Sequence, residues 1–141
     1  MKVVIDTNIV LDVVGSRQPF FVQSHAVMQL VAEGKVGGAI TANTVTDIYY
    51  VLRKHLDNQV LKAALRGLME LVEVLDVNGE ECLAALDIPM KDYEDALLTC
   101  CAKNWKADYI ITRNRKDFVS SPVKAISPDN FLKKATAATS E

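Results

Sequence analysis

Apolar positions along the chain fall into two rhythms: short unbroken runs, and longer stretches spaced by three and four. Val3-Val4-Ile5, Val72-Glu73-Val74-Leu75 and Tyr109-Ile110-Ile111 are brief runs rich in β-branched or aromatic side chains, which predicts buried strands. Val36-Gly37-Gly38-Ala39-Ile40 is a further strand candidate, weakened by its glycines, and Val123-Lys124-Ala125-Ile126 reads as a short edge strand. Helical spacing fills the gaps. Residues 9–14 form a short apolar helix stopped by Gly15. Residues 20–33 carry Val22, Ala26, Val27, Leu30 and Val31 on one face, with His25 on or near it and Gly34 as terminator. A helix capped by Asn43 or Thr44 runs to about residue 55 on Val45, Ile48, Tyr49 and Leu52. The next, residues 58–71, uses Leu61, Leu65, Leu68 and Leu71 behind an Asp57 cap.

The Asn78-Gly79 turn signal precedes a short helix over residues 81–86. Residues 93–105 repeat the helical spacing through Tyr93, Ala96, Leu97, Cys100 and Cys101. Ser127-Pro128-Asp129 opens a last helix with Pro at its first position. Strands alternating with helices indicate an α/β fold, with a mainly parallel central sheet of four to five strands and helices on both faces. One domain over residues 1–134 is expected, with residues 135–141 a small, polar, frayed tail.

Composition narrows the class. Half of the 141 residues are hydrophobic and 24% are charged, which is globular usage. Apolar runs are too short to span a bilayer. The N-terminus lacks the apolar stretch and small-residue cleavage site of a signal peptide, so a cytoplasmic protein with no membrane partner is expected. Cys82, Cys100 and Cys101 have neither a disulfide framework's even count nor a zinc-ligand spacing, and they are expected to fill the core. The net charge of −2 makes no overall case for nucleic acid. Basic residues do cluster at Arg53-Lys54-His55 and at Arg113, Arg115 and Lys116.

Polar residues at the strand ends carry the chemistry. Ligands of open parallel sheets bind just beyond the carboxyl ends of the strands, and Asp6-Thr7-Asn8 follows the first strand at once. Asp6 is either an N-cap for the next helix or an acid at such a site. Asp47 lies about a turn inside the helix after the second strand, Asp95 in the first turn of its helix, and Asn114 and Asp117 after Thr112 at the end of the 109–111 strand. Each has a local structural reading. Asp92 with Asp95 resembles a cap and its returning residue, although Glu suits that returning role better. Asp47 suits the positive end of a helix dipole, and Asp117 suits an Asx-turn. With parallel strands, all of them reach one edge of the sheet. Carboxylates gathered there repel unless some are protonated or a cation sits among them. Oxygen donors with only two histidines in the chain suit Mg²⁺ or Mn²⁺. The implied reaction is metal-assisted phosphodiester hydrolysis.

Four ordered stretches carry a resemblance: Val3-Val4-Ile5-Asp6-Thr7-Asn8, residues 46–54 around Asp47, Asp92-Tyr93-Glu94-Asp95-Ala96-Leu97, and residues 107–118 through Thr112-Arg113-Asn114-Arg115-Lys116-Asp117. On these the chain resembles the PIN-domain family, metal-dependent ribonucleases that include the VapC-like toxins of bacterial toxin–antitoxin pairs. The resemblance implies a three-layer α/β/α sandwich and a Mg²⁺- or Mn²⁺-dependent endoribonuclease. It also implies a homodimer with an RNA substrate and a cognate antitoxin. Asp6, Asp47, Asp95 and Asp117 would be the catalytic, metal-binding acids. Thr7, Asn8, Thr112 and Asn114 would support them, and Arg113, Arg115 and Lys116 would contact RNA phosphates. Two positions depart from the family pattern. Asp47 stands where Glu is usual, and Asn114 stands where the fourth acid often falls, so that either Asp117 supplies that acid or Asn114 holds a water or phosphate.

The alternative within the same fold is an RNA-binding protein with weak or no nuclease activity, a reading motivated by Asp47 and Asn114. Other acidic α/β classes fit less well. A response-regulator receiver pairs acids after its first strand and needs a phospho-acceptor after a later one, and none follows Leu75. A haloacid-dehalogenase-type phosphatase needs a second acid where Asn8 stands.

Overall fold

Lys2–Ile5 (β1) lies at the centre of a five-stranded sheet. In the computed structural model, which describes residues 1–139, the strands run in the order β3-β2-β1-β4-β5 and every pairing is parallel. Gly37–Thr41 (β2) flanks β1 on one side and Tyr109–Ile111 (β4) on the other, with Glu73–Leu75 (β3) and Ala125–Ile126 (β5) at the edges. The chain winds outward from β1 to β3, then returns to β4 on the opposite side. The winding direction therefore reverses between β1 and β4, the place where open α/β sheets leave a crevice for ligands.

Side chains alternate across a strand, and β1 divides its own between two layers. Val3 and Ile5 enter the larger core, against helices Thr7–Val14 (α1), Phe21–Ala32 (α2), Ala42–Leu52 (α3), Asn58–Leu71 (α4) and Pro128–Thr139 (α7). Val4 faces the other side with Ala39, Leu75 and Ile110. There it meets Leu98, Cys101 and Ala102 of helix Tyr93–Asn104 (α6), which packs beside Gly79–Ala85 (α5). This is the expected three-layer α/β/α arrangement. Gly38 admits α2 to the sheet, since a Cβ there would stand 2.8 Å from a Val31 methyl. Gly34, at φ +72°, ends α2 with the Lys35 N–H on the Leu30 carbonyl, as its position in the pattern predicts.

Several boundaries differ from the sequence reading. The cap position of α3 is Thr41, not Asn43 or Thr44. The strand runs directly into the helix, and Thr44 spends its hydroxyl on other side chains. Val22 is 67% exposed and His25 also faces outward, stacked on Phe21, because α2 buries Ser24, Val27, Met28 and Val31 instead. α7 continues to Thr139, its Leu132 and Ala135 packed against the core. Residues 140–141 of the expected tail lie outside the described residues. The cysteines are free, with Cys100 and Cys101 buried, and burial pushes the Cys101 thiol up to about 12, which keeps it unreactive. Among the described residues no helix is long and apolar enough to cross a membrane.

Candidate active site

Asp6 stands at the cap position of α1 in extended backbone, yet its carboxylate makes no capping bond. It turns toward the neighbouring strand end, where Oδ2 accepts a 2.8 Å hydrogen bond from the Thr112 hydroxyl. The backbone enforces this pairing, because the Asp6 N–H donates to Ile111 O at 3.0 Å, continuing the β1–β4 ladder by one residue. Thr112 Oγ1 also accepts from the Asn114 N–H at 3.0 Å, so its one proton is directed at Asp6. Only 7% of Asp6 is exposed. Burial raises its pKa, and the Thr112 hydroxyl opposes the rise.

A second polar chain sets α3 against α1. Thr44 Oγ1 lies 3.1 Å from Thr41 Oγ1 and 3.0 Å from Thr7 Oγ1. Asp47 follows Thr44 by three residues, on the same face of the helix, and therefore turns toward α1 and the sheet edge. At the start of α6 the Asp92 carboxylate caps the helix by accepting from the Asp95 N–H at 2.9 Å. That cap occupies Asp92 and leaves the Asp95 carboxylate for the cleft. Asn114 and Asp117 come from the segment after β4, where a 3₁₀ turn over Arg115–Phe118 is closed by the Asp117 N–H on Asn114 O.

These elements converge on one cleft of about 320 Å³, lined by Asp6, Asp47, Asp92, Glu94, Asp95 and Asp117 together with Thr7, Asn8, Asn43, Thr44 and Asn114. Its electrostatics follow from the crowding of acids. Burial, then the charges of Asp6, Asp92 and Asp117, push Asp95 up to about 7. Glu94 is likewise pushed to about 7, first by the Asp47 carboxyl beside it and then by burial. Such shifts mark a place where negative charge is held against its own repulsion, a recurrent property of functional sites. The donor set is hard oxygen, which suits Mg²⁺ or Mn²⁺ and not zinc. The buried Asn43 Oδ1 adds an oxygen with no hydrogen-bond partner on the same wall. Among the described residues, no three Asp, Glu, His or Cys side chains stand close enough together to hold a metal ion as they are placed.

Most residues singled out from sequence meet here: Asp6, Asp47, Asp95, Asp117, Thr7, Asn8 and Asn114 line the cleft, and Thr112 lies behind Asp6. The basic trio separates. Arg113 folds back from the cleft: its Nε and Nη2 donate to the two oxygens of Asp12 at 2.9 and 3.1 Å, and its guanidinium lies 3.8 Å over the Phe20 ring. Asp12 is fully buried and also accepts from the Ser24 hydroxyl. Arg115 and Lys116 remain exposed beside Asp117.

Sequence reasoning missed Glu94 and treated Asp92 only as a cap. The acidic run Asp92-Tyr93-Glu94-Asp95 was the available signal, but the partner that draws Glu94 in, Asp47, is far away in sequence. Asp12 also had a signal, a lone charge inside the apolar run of residues 9–14.

Residues 2–116 match the sequence profile of the PIN domain. The chain belongs to the PIN-domain family. It is 22% identical over 138 residues to ribonuclease VapC1 of Aquifex aeolicus, covering 94% of each protein. Its fold is similar to that in VapBC2 of Rickettsia felis bound to a promoter DNA fragment, with a TM-score of 0.71 and 17% identity over 90% of this chain and 98% of that one. It is also similar to VapBC-1 of nontypeable Haemophilus influenzae, with a TM-score of 0.69 and 21% identity over 92% and 99%. The PIN profile spans β1 through the Thr112–Lys116 segment, so it includes the ends of both strands that carry the Asp6–Thr112 pair.

Proposed function

We propose that this PIN-domain protein is a Mg²⁺- or Mn²⁺-dependent endoribonuclease, and the toxin of a toxin–antitoxin pair. One observation carries the reading: six carboxylates, from the cap positions of α1 and α6, the first turn of α6, α3 and the segment after β4, line a single cleft at the carboxyl edge of the sheet. Similarity to ribonuclease VapC1 along almost the whole chain supports RNA as the substrate, and similarity in fold to VapBC complexes supports an antitoxin partner. A cytoplasmic homodimer completes the proposal.

Asp6, Asp47, Asp95 and Asp117 would hold the divalent ion. Such an ion supplies polarisation of a phosphoryl oxygen and a lowered pKa for bound water. The chain's own residues provide the rest. Thr112 fixes the orientation of Asp6 and opposes the rise in its pKa that burial causes. Thr7 and Thr44 hold α1 and α3 in register, so that Asp6 and Asp47 face the same space. Crowding raises Asp95 and Glu94 to about 7, so a proton competes with the ion for the Asp95 carboxylate. Single-stranded or loop RNA is the favoured substrate, because its backbone is accessible to an open cleft.

A binding protein without catalysis is the second reading. Asp47, with its reach one methylene shorter than Glu, and Asn114, an amide where the fourth acid often falls, favour it. Incubating the purified protein with structured RNA in Mn²⁺, then in EDTA, separates the two. Cleavage that EDTA abolishes supports the nuclease; retention of intact RNA without metal supports the binding protein. An adjoining reading frame for a small protein with a DNA-binding N-terminus would support the toxin assignment.

A further inference from the structure

The acid cleft does not end at Asp92 and Asp117. Both residues also line a second cavity of about 530 Å³, whose other walls are Pro89, Met90, Lys91, Lys116, Val119 and Ser120. Lys91 comes from the loop before α6 and Lys116 from the 3₁₀ turn after β4, so two separate segments each bring one ammonium to it. Neither lysine makes an ion pair or hydrogen bond with any described residue, although Asp92 and Asp117 stand nearby. The trio expected from sequence to bind phosphate has by contrast lost Arg113 to Asp12. Unpaired cations facing a cavity that opens off a ring of carboxylates are placed for an anion linked to whatever occupies the ring. Part of the lining is apolar, with Met90 half-buried and Val119 83% exposed, which suits a ribose or base face beside the cations.

We propose that Lys91 and Lys116 form a subsite for an RNA phosphate next to the one held among the carboxylates, with the attached nucleoside against Met90 and Val119. The strand then leaves the acidic cleft between Asp92 and Asp117. Attraction by the two ammoniums offsets the repulsion a polyanion meets at the acids. This inference rests on the nuclease reading and adds Lys91, a residue outside all four motif stretches that resemble the family.

Steady-state cleavage of a single-stranded RNA oligonucleotide by the full chain in Mn²⁺ tests it, using Lys91→Ala, Lys116→Ala, Lys91→Arg and a Lys62→Ala control on α4. The alanine variants should raise KM several-fold with kcat nearly unchanged, and each should flatten the salt dependence of log KM by about 0.7. Lys91→Arg should restore KM, and Lys62→Ala should behave as wild type. Normal cleavage with KM and salt slope unchanged in both alanine variants overturns the subsite while leaving the nuclease reading intact. Fluorescence anisotropy of the same oligonucleotide on the Asp95→Asn protein separates the two failures. Binding that weakens with each lysine removed, in a protein whose wild type cleaves nothing, supports the subsite and overturns the nuclease. Binding indifferent to both lysines overturns the subsite.

Discussion

Thr112 donates its hydroxyl to Asp6 Oδ2 across neighbouring strands, 106 positions apart in the chain, and this bond locks the first acid of the cleft to the segment that carries the last. Replacing Thr112 by valine keeps the shape and removes the donor. Asp6 is then buried with one stabilising partner fewer, so its pKa rises further. We expect Thr112→Val to lower Mn²⁺-dependent activity by about 10–100-fold and to move the acidic limb of the pH–rate profile to higher pH. An unchanged limb would show that the bond does not lower the Asp6 pKa.

Arg113 acts below the cleft. Its Asp12 partner is fully buried, so Arg113→Ala strands a charge and should cost about 3–5 kcal/mol in denaturant unfolding. Arg113→Lys should recover only part of that loss, because an ammonium cannot reproduce the two-pronged contact. A loss below about 1 kcal/mol for Arg113→Ala would make the pair a surface-like one.

The crowded acids also fix a pH dependence. Asp95 and Glu94 are raised to about 7 in the folded protein, above the ordinary carboxylate values of the unfolded chain, about 4. Between those limits the folded state binds more protons, so their contribution to stability is present at low pH and is lost as pH rises through about 7. In EDTA, the melting temperature of the wild type should fall relative to Asp95→Asn between pH 5 and 8. Mn²⁺ should restore it at pH 8 more than at pH 5, since protons compete with the ion. Wild type and Asp95→Asn melting in parallel across that range would contradict the assignment.

Asp117 and Asp92 both face the cleft, yet differ in work. Asp92 caps α6, and Asn caps a helix as well as Asp does, so Asp92→Asn should leave the fold intact and cost less than about 10-fold in activity. Asp117→Asn should cost more than that, as a lost ligand would. The reverse order in cleavage rates would move the fourth ligand from Asp117 to Asp92.

Much of this was legible from pattern alone. The run Tyr109–Ile111 became β4 with those bounds because it is continuous, apolar and bounded by polar residues. Asp57 capped α4 as read, accepting from the Gln59 N–H. What escaped was decided by tertiary partners. Thr44 looked like a cap, but its hydroxyl meets Thr7 and Thr41. Arg113 looked like a third phosphate contact in a basic cluster, but Asp12, buried under the loop, claims it. Glu94 was not singled out at all, because only folding brings α3 and α6 close enough for Asp47 to raise it.

The most direct measurement is RNA cleavage in Mn²⁺ by wild type, Asp6→Asn and Asp95→Asn, each shown to be folded by circular dichroism and free of carried-over nuclease. Loss of at least ~1000-fold in both variants, equivalent to about 4 kcal/mol of transition-state stabilisation, is the expected result. Wild-type rates in either variant would contradict the carboxylate cleft as the site of hydrolysis.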